Sequence, residues 1–262
     1  MTDYHVHIGQ WFDTYYYADR VFAALKAAGT DEVWFSSTTS EHYCTESPKV
    51  LEMEKAGEKL THFPTAQELY DAIKDEMKFA IAAAKELNYK AHPLYWVIPE
   101  IHKSSRANVT IEKAMSELPY EGFKLHPRGN VWDMADERTV ALADEVFDYA
   151  EKHNIMVLIH CGPDDFELPN KFESVIARHP KALTQLAHTR PLDMTLEMLK
   201  KYPNTICDTA FVGEDVQEEV RKAGFGNRMR FGTDFPITHY YKLHPDHDPT
   251  TEELISFLKS DK

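Results

Sequence analysis

Short runs of apolar and β-branched residues alternate along the chain with longer stretches whose apolar positions recur at helical spacing. The short runs fall at residues 4–8, 32–36, 92–98, 122–126, 155–160, 183–188, 205–209 and 229–233, which makes eight strand candidates. Between and after them, residues 18–28, 65–88, 136–154, 170–179, 192–202, 214–223 and 250–259 carry the pattern of helices that bury one face. Gly29, Asn154, Pro180 and Pro203 stand where these helices are expected to stop. Gly and Asn enter left-handed backbone easily and Pro cannot continue a helix. The third strand is followed by the faintest helical pattern, with residues 110–118 as its candidate.

Strand followed by helix, repeated, predicts a parallel sheet, because parallel neighbours need a crossover connection. Eight such units in 262 residues match the roughly 250 residues of a TIM-type (β/α)8 barrel. The predicted fold is therefore α/β, one barrel domain over residues 1–262. No linker rich in Pro, Gly or Ser divides the chain, and no short sequence repeat is visible. The longest irregular region, residues 37–64, holds a short helix candidate at 48–59 and is placed to act as a lid over the barrel mouth.

Composition changes this picture only at the margins. A hydrophobic share of 43% and a charged share of 27% suit a folded globular chain. Acidic residues outnumber basic ones by 43 to 29, a formal charge of −14, which repels nucleic acid and anionic membranes. The excess is read as a hydrated exterior, since no acidic block is long enough to form a tail. Cys44, Cys161 and Cys207 are odd in number and lack CxxC spacing, which argues against a disulfide framework or a thiolate zinc site and for a reducing cytoplasm. No leader pattern or bilayer-length apolar span is present. The partner expected is a small-molecule substrate, with homo-oligomerisation left open.

Candidate chemistry gathers at strand ends. In (β/α)8 barrels the loops after the strands surround one cavity. His5 and His7, two apart on the first strand, point to the same side. His160 ends the fifth strand, His188 the sixth, and Asp234 follows the eighth. Two histidines on one strand are more often a polar face than a metal site. Their coincidence with His, His and Asp at three further strand ends points instead to a divalent ion, which needs converging neutral imidazoles and an ionised carboxylate. Lys124, Arg128 and Arg190 lie at or just beyond strand ends, where cations hold a substrate carboxylate or pair with the acidic surface. Trp11, Phe12 and Tyr15 to Tyr17 are candidates for a pocket wall or for packing of the first helix. Asp208 is read as filling the barrel or hydrogen bonding. His239, His244 and His247 are read as solvent-exposed.

These residues resemble those of the amidohydrolase superfamily, in particular its smaller metal-dependent TIM-barrel members. The resemblance spans nearly the whole chain and rests on His5-Val6-His7, on Gly122-Phe123-Lys124-Leu125-His126-Pro127, on His160, on His188 and on Gly232-Thr233-Asp234-Phe235-Pro236. It implies that His5, His7, His160 and Asp234 hold one divalent ion, zinc by preference, with manganese or a second ion as alternatives. His188 would then be the non-ligand or second-metal histidine. Where two metals bind, a carbamylated lysine bridges them, and Lys124 lies close to that place; whether Lys124 or His126 reaches the centre stays open.

The resemblance further implies a mechanism. Water on such an ion falls from a pKa near 16 to about 7, Asp234 accepts its proton, and His188 stabilises the developing oxyanion. That is hydrolysis of an amide, ester or lactone. A decarboxylase of an aromatic or enoic acid uses the same residues, and a barrel that binds without turnover is the third class.

Overall fold

The computed structural model describes residues 1–41, 44–57 and 63–260. Its sheet starts with β1 (Thr2–Trp11), which turns back through the short antiparallel β2 (Thr14–Tyr16). β3 (Glu32–Ser37), β4 (Lys90–Trp96), β5 (Gly122–Leu125), β6 (Met156–Ile159), β7 (Leu183–Leu186), β8 (Thr205–Asp208) and β9 (Met229–Arg230) then follow β1 in parallel order. The ring closes between its last and first members. Tyr4 N–H donates to the Phe231 carbonyl at 2.9 Å, Asp234 N–H to His5 at 2.8 Å, and His7 N–H to Phe235 at 2.7 Å. Eight parallel strands thus make a barrel, and each lies on one of the eight runs expected.

Helices α1 (Ala18–Ala27), α3 (Ala66–Glu86), α6 (Glu137–His153), α7 (Glu173–Arg178), α8 (Leu192–Lys201), α9 (Glu214–Lys222) and α11 (Thr251–Ser260) occupy the expected amphipathic stretches. The fainter candidates are also helical, as α2 (Pro48–Lys55) and α5 (Ile111–Glu117). Local chemistry sets their ends. Thr65 and Glu68 form a reciprocal capping box at the start of α3, and Asn154 takes a left-handed φ of 54° at the end of α6. Three elements were not expected: β2, α4 (Pro99–Lys103) and α10 (Ile237–Leu243). Each is too short to display a period against its polar surroundings.

Two apolar layers follow from the strand alternation. Val6, Ile8, Val33, Phe35, Phe123 and Val157 face outward into the core beneath the helices. Leu94, Met156, Leu158 and Ala187, with Trp34 and Leu183 against them, fill the barrel interior below the site. Burial of each such large side chain contributes roughly 1.5–3 kcal/mol, so the floor of the site is a packed platform. Cys44, Cys161 and Cys207 are buried free thiols. Among the described residues no helix is long and apolar enough to cross a membrane.

Candidate metal centre

Alternation along β1 sends Val6 and Ile8 to the outer core and His5 and His7 inward, where they are 0% and 3% exposed. The β1 to β3 register shifts between Asp3 and Val6, at the residues that aim His5; such irregularities re-aim side chains beside functional sites. His160 follows β6, His188 sits in the turn after β7, and Asp234 lies beyond β9. His188, Thr189 and Asp234 hold φ of 64°, 47° and 56°. Left-handed backbone at non-glycine residues costs energy and persists only where its surroundings enforce it.

The side chains converge. Asp234 Oδ1 lies 2.9 Å from His7 Nε2 and 3.2 Å from His5 Nε2. His188 Nε2 lies 3.1 Å from His160 Nδ1. His5, His188 and Asp234 each offer a ligand atom, and these atoms all lie within 4.8 Å of one another. Lys124 Nζ reaches His5 Nε2 at 3.1 Å from below.

Burial dominates the electrostatics. It lowers His7 to about 4 and His188 to about 3, and holds His160 well below the usual imidazole range, so all three are neutral at pH 7. Burial alone would raise the Asp234 carboxyl, but the adjacent imidazoles of His5 and His7 outweigh it and keep the group ionised. Burial also lowers the Lys124 ammonium. Neutral imidazoles around one ionised carboxylate are the donor set a divalent ion requires.

The outer nitrogens show where the inner lone pairs point. His188 Nδ1 faces the Ala210 carbonyl at 3.1 Å, an acceptor only, so that nitrogen carries the proton and Nε2 carries a lone pair. His160 Nε2 faces Glu167 Oε1 at 3.3 Å, which leaves the lone pair on Nδ1. Those two lone pairs meet at 3.1 Å, an arrangement that repels unless a cation lies among them. The residues therefore fit a divalent ion, and the orientation of each ring by a second partner is the usual support of metal-ligating histidines.

Above the centre opens a cavity of about 630 Å³. Trp11, Trp96, Phe211 and Tyr241 give it aromatic walls, and Arg128 and Arg190 bring guanidinium groups to it. Arg128 pairs with Asp164 at 3.1 Å and is largely exposed, whereas Arg190 Nε is anchored on the Cys161 carbonyl at 3.0 Å. Lys124 is fully buried and does not line this cavity; its Nζ lies against His5 instead. His126 is the one that lines the cavity, stacked on His160 at 3.9 Å between ring centroids.

Two carboxylates that sequence reading missed also wall the cavity. Glu41 contacts His126 Nε2 at 2.9 Å, and Glu167 is 4% exposed beside His160. Thr38 and Glu41 are the part of the expected lid that reaches the cavity; residues 42–43 and 58–62 of that region lie outside the described residues. A Cβ at Gly162 would overlap the Glu167 carboxylate, so glycine there leaves room for it.

The remaining histidines among the described residues lie apart from the centre. His239, expected at the surface, is 2% exposed with Nδ1 on the Tyr16 hydroxyl at 3.1 Å, because α10 packs it inward. His247 is exposed and pairs with Asp246 and Glu253. His42 and His62 fall outside the described residues. Of the aromatic run, Tyr15 and Tyr16 serve packing, through Glu76 and His239.

Comparison with known proteins agrees with this geometry. No curated protein matches the chain. Among solved structures, the phosphotriesterase homology protein from Escherichia coli, complexed with phosphate in its active site, superimposes with a TM-score of 0.58 at 11% identity, over 99% of this chain and 91% of its own. PhdJ bound to a substrate intermediate gives a TM-score of 0.50 at 13% identity, over 93% and 71%. At these identities the likeness is one of fold. The family model described as amidohydrolase matches residues 3–258, nearly the whole chain, and the protein belongs to the Amidohydro_2 family.

Proposed function

We propose that the chain is a metal-dependent hydrolase that cleaves an amide, ester or lactone bond in a small, carboxylate-bearing substrate. The observation that carries this reading is the convergence of imidazole lone pairs on an ionised Asp234 beneath a cavity that also contains Arg190. We take His5, His7, His160 and Asp234 as the ligands of one ion, zinc by preference, with His188 left to the reaction. His5 and Asp234 also belong, with His188, to the group of three whose ligand atoms all lie within 4.8 Å of one another. When bound, the ion supplies Lewis acidity and an acidified water.

The chain's own groups do the rest. Ionised Asp234 accepts the water proton as the water oxygen joins the acyl carbon, and the same proton leaves with the departing amine or alkoxide. His188 Nε2, whose lone pair takes that proton from Asp234, faces the charge on the acyl oxygen as an N–H donor before the proton passes to the leaving group. Arg190, held by the Cys161 carbonyl, presents its remaining N–H groups to a substrate carboxylate, with Arg128 further out. Trp11, Phe211 and Tyr241 exclude water from the apolar part of the ligand.

The Amidohydro_2 family includes decarboxylases as well as hydrolases. Aromatic walls beside a guanidinium favour decarboxylation of an aromatic or enoic acid as the second reading. The test is metal analysis of protein purified without chelator, followed by product analysis on a panel of acyl compounds and unsaturated acids. About one equivalent of metal with a new carboxylate and a freed amine or alcohol is expected. Carbon dioxide release would replace the hydrolase with the lyase. Less than a tenth of an equivalent of metal, unchanged after adding zinc, cobalt or manganese, would remove both.

A further inference from the structure

Asp208 at the end of β8 is 0% exposed and does not line the cavity, yet four donors meet its carboxylate. Oδ2 accepts from His5 Nδ1 at 3.1 Å and from Gln185 Nε2 at 2.8 Å. Oδ1 accepts from the backbone N–H of His188 at 2.8 Å and of Ala210 at 3.2 Å. Its own carbonyl accepts from Thr189 Oγ1 at 2.6 Å. One residue thus holds the ring of His5 from β1 and the left-handed backbone of His188 and Thr189 from the turn after β7.

We propose that Asp208 is the positioning residue of this centre: it keeps the His5 proton on Nδ1, so that Nε2 turns a lone pair inward, and it holds the turn that carries His188. A carboxylate accepts and does not donate, so His5 Nδ1 must carry the proton, and the neutral ring has only Nε2 left for a ligand. That nitrogen accepts from Lys124 Nζ at 3.1 Å and meets Asp234 Oδ1 at 3.2 Å, a carboxylate that repels the same lone pair unless a cation lies between them. The part of this inference that concerns metal affinity rests on the metal reading above; the part that concerns the tautomer does not.

The isosteric change Asp208→Asn isolates the effect. Two backbone N–H groups cannot invert, so they pin the asparagine oxygen on the His188 and Ala210 side. The amide NH₂ then faces His5 Nδ1 and Gln185. Gln185 can turn its amide, whose Oε1 has no partner at present, to accept one hydrogen. His5 must accept the other, which moves its proton to Nε2 and blocks the inner nitrogen. The barrel keeps its shape and its hydrogen bonds while the ring changes tautomer.

The experiment labels histidine with ¹⁵N and reads the His5 tautomer in chelator-treated protein from long-range proton to nitrogen correlations, then measures Zn²⁺ affinity by competition with a chromophoric chelator. The parent should show His5 protonated at Nδ1. Asp208→Asn should show it at Nε2, with Zn²⁺ affinity lower by about tenfold to a hundredfold and a melting temperature close to that of the parent. Gln185→Leu, which removes the other partner of the same oxygen, should leave tautomer and affinity as they are. An unchanged tautomer in Asp208→Asn, or a changed tautomer with unchanged affinity, overturns the proposal, as does an equal loss of affinity in Gln185→Leu. If the parent takes up no Zn²⁺ while the tautomer still switches, the metal reading fails and the hold of Asp208 on His5 stands.

Discussion

At the N-terminal end of the barrel, His92 stacks on Trp34 with ring centroids 4.5 Å apart and gives one nitrogen to Glu121 and the other to Glu32, each at 2.6 Å. At the C-terminal end, His188 gives Nδ1 to the Ala210 carbonyl and turns Nε2 toward His160 Nδ1, lone pair against lone pair. Both rings lie on inward-facing positions. The lower one sits among stacked rings, with Tyr4 on Trp34 and Arg230 over Tyr4, and both its nitrogens face carboxylates. The upper one sits on left-handed backbone among groups that repel as they stand. Satisfied polar groups stabilise a fold, while deliberately unsatisfied ones mark where a ligand completes the structure.

The largest effect that would test this contrast is at Asp234. Asp234→Asn keeps the shape, and Asn tolerates left-handed backbone, but it removes the proton acceptor and a ligand charge. Turnover should fall by about a hundredfold to ten-thousandfold and bound metal should drop, with little loss of thermal stability. Retention of full activity would remove Asp234 from the chemistry.

Next in size is the pair His188→Ala and His160→Ala, read by bound metal and turnover together. The first should keep the ion and lose about a hundredfold to a thousandfold in turnover, and the second should lose the ion itself. The reverse result would make His188 a ligand together with His5 and Asp234, whose ligand atoms lie within 4.8 Å of its own.

Below the site the expectation inverts. Leu158, 1% exposed in the inner layer, leaves a cavity when cut to alanine, and Leu158→Ala should cost about 2–5 kcal/mol of stability with metal affinity unchanged. A matching loss of metal affinity in denaturation-corrected titrations would show that floor and site are one mechanical unit.

The smallest effect is pH-dependent and belongs to the metal-free protein. Burial holds His7 at about 4 and His188 at about 3 in the folded chain, against 6.5 when free. As pH falls below 6.5 the unfolded imidazoles bind protons that the folded ones refuse, so stability is lost from pH 6.5 down toward 4. Asp3, raised to about 7 by burial, binds a proton in the folded state over the same range and opposes this. The imidazoles outnumber it, since His160 and the buried His102 are lowered too. Chelator-treated protein should melt at lower temperature at pH 5.5 than at pH 7, by a difference on the order of 1 kcal/mol per pH unit or more. A flat or opposite trend would mean that the upper imidazoles are already charged.

Much of this was legible from local pattern. Alternation on one strand placed His5 and His7 together, because period two is a property of the strand alone. Strand ends located His160, His188 and Asp234, because a barrel brings all strand ends to one rim. Glu41 and Glu167 were not legible, since each ends a single 3₁₀ turn of three or four residues, too short for a period to report direction. α10 was hidden by its polar sequence, and with it the burial of His239 and the place of Tyr241 in the cavity wall. Lys124 was readable as inward-facing but not as to depth: two residues of height separate it, against His5, from His126, which lines the cavity.

The sequence by itself determined the eightfold strand and helix order, the inward face of each strand and the identity of the groups at the rim, all of which follow from periodicities of 2.0 and 3.6 residues and from covalent neighbours. Only the tertiary structure decided which nitrogen of each ring faces inward: Asp208 for His5 and Ala210 for His188, both remote in sequence, and Glu167 for His160, folded back by the loop between them. A ring's tautomer depends on the acceptor a few ångströms away. That acceptor comes from wherever the closed barrel brings the chain back, which no local pattern encodes.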